Sequence, residues 1–397
     1  MSWARRAGIA GVALGAVATT VATTVAIERL SVQRNLRRQA RLELDATGPF
    51  GTLRGTPGTA FAEDGTELYY EIDERDEHPA LEPPATVAEP ASPRGRLAKL
   101  LRRPEAVRRR PTVVFSHGYC LAQDVWHFQR AALRGHYRAV YWDQRSHGRS
   151  ERGRSQVERV EDVSIDQLGR DLKAVLDAAV PEGPVVLVGH SMGGMTVMAF
   201  AEQYPEYVAE RVTGIALVGT SAGGLSDVTY GFPAPVIGLV RKAMPGMLRV
   251  IGARPELVER GRRAVGDLYS GVFRRLSFGE PRSIDPAVAR FAERLIEAVP
   301  MDVVAEFYPA FHVHDKMAAL GVLRGLENDL PVLVLAGERD EMTPAAHSER
   351  IAEELPAAEL LLVPETGHLV LLEAPLVVND ALARLLARSI HPHEPAV

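Results

Sequence analysis

A serine, an aspartate and a histidine each stand at the end of an apolar run, in the chain order Ser191, Asp340 and His368. A serine hydroxyl is a poor nucleophile at neutral pH, and it attacks a carbonyl carbon only when a neighbouring base takes its proton. That base must be oriented by a third group, commonly a carboxylate. These residue types are therefore the set that covalent acyl transfer requires, provided that the fold brings them together.

The serine lies in the pentapeptide Gly189-His190-Ser191-Met192-Gly193, which fits the pattern G-x-S-x-G. The apolar run VVLV precedes the pentapeptide and an apolar helical stretch follows it. In that context the pattern predicts a sharp turn from strand to helix that lifts the serine clear of the backbone. The glycines leave room where the strand and the helix crowd together.

The elements that must position these groups follow a regular alternation of apolar strands and amphipathic helices. Strands are predicted at Thr112–Gly118, Tyr137–Asp143, Pro184–Ser191, Val212–Thr220, Pro331–Asp340 and Ala358–His368. Helices are predicted at Ser164–Val180, directly after Ser191, at Pro344–Leu355 and at Pro375–Ile390. This order predicts an α/β fold with a mostly parallel sheet covered on both faces, and with its chemistry at the carboxyl ends of the strands.

Two local signals refine this scheme. Alternating residues around Asp64-Gly65 predict an antiparallel hairpin before the parallel part. Ser164 and Gln167 have the spacing of a reciprocal capping box at the start of a helix.

On these motifs the sequence resembles the α/β-hydrolase superfamily, from about Gly55 to Ile390 apart from two insertions. Members carry nucleophile, acid and histidine in that chain order, and the match falls on Ser191, Asp340 and His368. The resemblance implies the α/β-hydrolase fold, with a helical cap insert and the site of a serine esterase or lipase. Other carboxylates lie nearby, and surface positions are predicted for them: Glu338, Glu341, Glu365 and Asp329.

The stretch FSHGYC, which ends the first parallel strand, is the predicted oxyanion-hole segment. The resemblance implies that the backbone amides of Tyr119 and Met192 stabilise the negative charge of a tetrahedral intermediate. The side chain of Tyr119 either lines an acyl pocket or packs against the protein. The motif is HGY, unlike the HGGG run of many lipases.

The remaining histidines and charged loop residues are interpreted as structural. Asp143 and Arg145 lie in the loop DQRSHGRS and are expected to bind loop amides; structural roles are also expected for His147, His117 and His190. The pair His312 and His314 with Asp315 lacks the fuller set of ligands that a metallo-hydrolase needs, so no metal site is predicted.

Composition and charge limit the classes of partner and cofactor that the chain is expected to bind. The chain has 397 residues, 46% of them hydrophobic, and a formal net charge of −5, which gives no overall basic field to attract nucleic acid. No glycine-rich nucleotide loop occurs, and no cofactor is predicted. Cys120 is the single cysteine, which excludes an internal disulfide framework. The expected partner is a small-molecule or lipid-like ester.

The N-terminal stretch 7–27 has 21 residues without a charge, close to the length of a membrane-spanning helix. A membrane anchor, a signal peptide and a packed helix all fit this pattern. Five arginines follow the stretch before residue 42, which favours an anchored protein with a cytoplasmic body, and secretion after signal cleavage is the alternative.

The predicted organisation combines these features. Successive segments are an anchor or signal at 1–30, the start of the core at 31–75, a charged proline-rich linker at 76–110, core at 111–220, a helical cap at 221–329, core at 330–390 and a tail at 391–397. Candidate pocket residues of the cap are Met244, Met247, Phe307, Tyr308 and Phe311.

The function predicted from the sequence is hydrolysis of a carboxylic ester through an acyl-enzyme. A cofactor-free haloperoxidase or perhydrolase, a carbon–carbon bond hydrolase and acyl transfer to another acceptor use the same three residues and remain open. A ligand-binding relative without catalysis is the alternative of another class.

Overall fold

The computed structural model describes residues 46, 49–76, 110–228, 242, 246, 274–326 and 330–390. Within these residues eight strands form one sheet. The strands are β1 (Thr56–Phe61), β2 (Glu67–Asp73), β3 (Thr112–Ser116), β4 (Ala139–Trp142), β5 (Val185–His190), β6 (Val212–Val218), β7 (Val332–Gly337) and β8 (Glu359–Val363). Their order across the sheet is β1-β2-β4-β3-β5-β6-β7-β8.

Helices connect the strands. They are α1 (His127–Leu133), α2 (Arg154–Val157), α3 (Ile165–Ala179), α4 (Met192–Gln203), α5 (Pro205–Arg211), α6 (Pro286–Glu297), α7 (Met301–His312), α8 (Met317–Leu326), α9 (Ala345–Glu354), α10 (Val370–Glu373) and α11 (Pro375–Ile390). Short 3-10 helices lie at Gln123–Trp126 and Leu225–Asp227.

The prediction of a mostly parallel α/β sheet is confirmed. From β4 to β8 every neighbouring pair is parallel, whereas β1-β2 and β2-β4 are antiparallel. All residues of β3, β5 and β7 are buried, because helices cover both faces of the sheet. The carboxyl ends of these strands therefore open at one common edge, where the loops that follow them meet.

The local signals are found where the sequence placed them, with one difference. Asp64-Gly65 lies in the turn between β1 and β2, and Gly65 has a φ of 79°. The Ser164 hydroxyl oxygen accepts a hydrogen bond from the Gln167 amide at 3.1 Å, as an N-cap does. The Gln167 side chain does not complete a reciprocal box, because its oxygen accepts instead from the Gln156 amide group at 3.0 Å.

The predicted helical cap at 221–329 is called the insert below. Several predicted segments lie outside the described residues: the stretch 7–27, most of the linker at 76–110, the tail at 391–397 and, apart from residues 242 and 246, the part of the insert from 229 to 273. In the ranges that the structure does describe, no helix is long and apolar enough to cross a membrane. Contacts between Cα atoms place Phe50–Ile284 and Ala292–Val397 in one compact unit, which contains the sheet. Residues Asp285–Phe291, which contain the start of α6, belong to the other unit.

Arg145 joins three parts of the compact unit from a buried position. Its Nε and Nη2 atoms each donate to the Asp171 carboxylate of α3 at 2.6 Å, and its Nη1 donates to Asp64 at 2.9 Å. The side chains of Arg145 and Asp171 are only 2% and 1% exposed. Burial raises the pKa of Asp171 to about 6, against the opposing effect of Arg145, so the carboxylate depends on its partner.

We expect Arg145→Ala to destabilise the protein by about 3–5 kcal/mol, because a buried carboxylate then loses its partner. Denaturant unfolding of the variant and the parent measures this change. Arg384→Ala is the control, since Arg384 pairs with Glu359 at the surface and such pairs contribute about 0–1 kcal/mol. Equal effects of the two substitutions would contradict the role assigned to Arg145.

Candidate active site

Ser191 occupies a strained turn between β5 and α4. Its φ and ψ are 52° and −119°, a combination that residues other than glycine rarely adopt. The turn needs glycine nearby, because a Cβ on Gly193 would overlap the carbonyl oxygen of Ser116 on β3. The Ser191 amide donates to the Val218 carbonyl of β6 at 2.9 Å, which fixes the turn to the neighbouring strand.

A chain of hydrogen bonds links Ser191 to two other loops at the same edge of the sheet. His368, in the loop after β8, places its Nε2 3.0 Å from Ser191 Oγ. Its Nδ1 lies 2.8 Å from Oδ2 of Asp340, in the loop after β7. The structure therefore brings together Ser191, His368 and Asp340, which the sequence analysis predicted as nucleophile, base and acid.

Asp340 is held so that one carboxylate oxygen faces the imidazole. Its Oδ1 accepts hydrogen bonds from the amides of Met342 and Thr343, both at 2.8 Å. This leaves Oδ2 directed at His368. Because the side chain of Asp340 is fully buried, water does not compete for these bonds.

The other carboxylates near this edge have different surroundings. Glu338 is exposed, and Glu365 pairs at the surface with Arg339. Glu341 lies 3.8 Å from Arg275. Asp329, the remaining alternative, lies outside the described residues.

Thr343 is a member of the site that the sequence reasoning missed. Its hydroxyl lies 2.9 Å from Asp340 Oδ2 and 2.8 Å from the carbonyl oxygen of Gly219, to either of which it can donate its proton. It is also 3.3 Å from His368 Nδ1. The available signal was local: a threonine three residues after an aspartate, before a proline that starts a helix, is typical of a side chain that caps a loop.

The two predicted oxyanion-hole residues belong to segments that lie next to Ser191. Met192 is the first residue of α4, where backbone amides have no acceptor within the helix. Tyr119 follows Gly118, and a Cβ on Gly118 would lie 3.1 Å from the Ser191 Cβ. The loop after β3 therefore runs directly against the serine.

The Tyr119 side chain is directed towards the insert. Its hydroxyl donates to the Val304 carbonyl of α7 at 2.5 Å. Its ring lies against the rings of Phe307 and Phe311, with centroid distances of 6.2 and 5.0 Å. This helix therefore lies over the loop beside Ser191, and it contributes two of the predicted pocket residues.

The other candidate pocket residues are placed differently. Tyr308 lies against His312, at a ring-centroid distance of 5.0 Å. Met244 and Met247 are outside the described residues.

Three further histidines near the site are fully buried. Burial lowers the pKa of His117 to about 3, of His147 to about 4 and of His190 to about 3, so all three are neutral at pH 7. Each binds backbone: His147 Nε2 accepts from the Cys120 amide at 3.2 Å, and His190 Nε2 donates to the His368 carbonyl at 2.9 Å. They hold the backbone of the loops that contain Cys120 and His368.

His312, His314 and Asp315 are the residues considered above as metal ligands, for which no metal site is predicted. His314 Nε2 donates to the Ser221 carbonyl at 2.7 Å, so this nitrogen ties the insert to the end of β6. Across the part of the chain that the structure describes, no three or more histidine, cysteine, aspartate or glutamate side chains form a group able to hold a metal ion.

Comparison with known proteins identifies the family of the chain. Residues 111–375 match the family model described as alpha/beta hydrolase fold. The chain is 27% identical over 278 residues to the dihydrolipoyllysine-residue acetyltransferase component of the acetoin cleaving system of Pseudomonas putida, which covers 70% of the chain but only 63% of that relative. It is 28% identical over 285 residues to the sn-1-specific diacylglycerol lipase ABHD11 of Mus musculus, covering 70% of the chain and 81% of the lipase.

A solved structure shows the same fold. An esterase from Thermogutta terrifontis superimposes with a TM-score of 0.58 at 20% sequence identity, covering 84% of the chain and 98% of the esterase. The family model spans β3 to the start of α11, and hence Ser191, Asp340 and His368. The protein is a member of the α/β-hydrolase family.

Proposed function

We propose that the protein is a serine hydrolase that cleaves a carboxylic ester through an acyl-enzyme. The observation that carries this proposal is the continuous hydrogen-bonded chain from Ser191 Oγ through both ring nitrogens of His368 to Asp340, with steps of 3.0 and 2.8 Å. Such a chain gives a serine hydroxyl a base within reach and gives that base a fixed orientation.

In the first half-reaction Ser191 Oγ forms a bond to the ester carbonyl carbon, and its proton passes to His368 Nε2. The carbonyl oxygen becomes an oxyanion. When the tetrahedral intermediate collapses, the bond to the alcohol oxygen breaks and His368 gives its proton to the departing alcohol. Asp340 stabilises the imidazolium that exists between these two transfers.

Water completes the cycle. His368 takes a proton from the water molecule that attacks the acyl-enzyme carbonyl, and it returns the proton to Ser191 Oγ as the carboxylic acid leaves. We assign stabilisation of both oxyanions to the amides of Tyr119 and Met192, because Met192 follows the serine directly and Tyr119 follows Gly118, which lies against it. Loss of one such donor typically costs about 10²–10³ in kcat.

The substrate class is inferred from the relatives and from α7. A diacylglycerol lipase and an esterase are among the similar proteins, and both names denote ester cleavage. Phe311, whose side chain is only partly buried, brings apolar surface to the loop of Tyr119, which suits the acyl chain of a small or lipid-like ester.

Substitution of the triad tests the proposal. We expect Ser191→Ala to fold and to lose kcat by a factor on the order of 10⁶ on p-nitrophenyl acetate, and His368→Ala to lose nearly as much. Because the residues act as one unit, the double variant should lose little more than either single variant. A folded Ser191→Ala protein that keeps a tenth of the parent activity would refute the mechanism.

Thr343→Val probes the support of the acid. The substitution keeps the shape of the side chain and removes the hydroxyl bound to Asp340, so kcat should fall by about 2- to 10-fold, which corresponds to one hydrogen bond of about 0.5–1.5 kcal/mol. Thr213→Val is the matched control, because Thr213 lies near the start of β6, at the end of the strand away from Gly219. If both variants keep the parent kcat, Thr343 does not orient Asp340.

A further inference from the structure

A second carboxylate, besides that of Asp340, binds the loop that carries His368. Glu373, the last residue of α10, accepts a hydrogen bond from the Gly367 amide at 2.6 Å through Oε1. Its Oε2 accepts from the Gly279 amide at 3.1 Å. One carboxylate thus holds the residue before the histidine and a residue of the insert that is 94 positions away.

The insert and the histidine loop also touch directly. The Leu369 amide, just after the histidine, donates to the Ser277 carbonyl at 2.9 Å. Gly279 approaches so closely that a Cβ there would overlap the carbonyl oxygen of Glu365. The segment Ser277–Gly279 therefore packs directly against the His368 loop. The Glu373 carboxylate binds both segments.

We propose that Glu373 is a positioning residue whose carboxylate ties the His368 loop to the segment Ser277–Gly279 and so holds the imidazole between Ser191 and Asp340. The inference rests on the proposed function, in which His368 is the general base. The Glu373 carboxylate binds the backbone amides of Gly367 and Gly279, not Ser191 or Asp340. It therefore acts on His368 through the backbone of the loop.

The carboxylate changes charge in the range where the enzyme is expected to work. Burial raises the pKa of Glu373 to about 7, although its two amide partners oppose this, and among nearby charges Asp340 raises the pKa while His368 lowers it. On the insert side Glu280 is bound by Arg339 at 3.3 Å. Above pH 7 both oxygens of the ionised group accept fully; below pH 7 the proton on one oxygen weakens one of the two bonds.

The test compares kcat for the parent and Glu373→Gln on p-nitrophenyl acetate from pH 5.5 to 8.5, per active site titrated with a phosphonate. The amide is neutral at every pH and keeps the size of the side chain. The ratio of parent to variant kcat should therefore be near one at pH 5.5 and rise through pH 7 to about 10- to 100-fold, as displacement of a reacting group by about 1 Å can produce.

Two further variants complete the experiment. Gly279→Ala pushes the insert away without changing the charge of Glu373, and it should lower kcat while KM changes little. Glu365→Gln removes an exposed carboxylate from the same loop and should match the parent at each pH. A ratio for Glu373→Gln that stays at one throughout, or a Gly279→Ala enzyme with parental kcat, would overturn the inference. If Ser191→Ala remained active in the same assay, the proposed function itself would have failed.

Discussion

The backbone conformation of Ser191 is the constraint on which the rest of the site depends. A φ of 52° with a ψ of −119° costs about 1–3 kcal/mol for a residue that is not glycine, and it persists only where the surrounding packing enforces it. Here the serine amide is bound by Val218 at 2.9 Å, and the serine carbonyl accepts from the Thr220 hydroxyl at 2.7 Å. Strands β5 and β6 thus hold the turn, and the hydroxyl stands where the neighbouring loops can reach it.

The parallel sheet then determines which loops those are. Strands β6, β7 and β8 lie side by side after β5, so the segments that leave their carboxyl ends pass close to the serine. Asp340 follows β7 and His368 follows β8. Two backbone amides bind the Asp340 carboxylate, and the His190 side chain binds the His368 carbonyl. The long insert between β6 and β7 adds α7 above Tyr119 and the segment Ser277–Gly279 beside the histidine loop.

The sequence predicts the framework well because the signals for it are local. Apolar runs identify the strands, the G-x-S-x-G pattern places the sharp turn at Ser191, and the strand ends select Asp340 and His368 as candidates. Glu373 could not be assigned in this way, since its role depends on a contact with Gly279, which is distant in the chain. Thr343 had only its spacing after Asp340 as a signal. A hydrogen-bonding side chain on a loop has many possible partners, and only the packed fold decides among them.

Covalent labelling shows whether Ser191 is an activated nucleophile. The full-length protein is incubated with a fluorophosphonate at pH 8, digested and examined by tandem mass spectrometry, beside a sample unfolded before the reagent is added. We expect one phosphonate per chain, located on Ser191, in the folded sample and none in the unfolded one. A folded protein that stays unlabelled, or that carries the adduct on another residue, would contradict it.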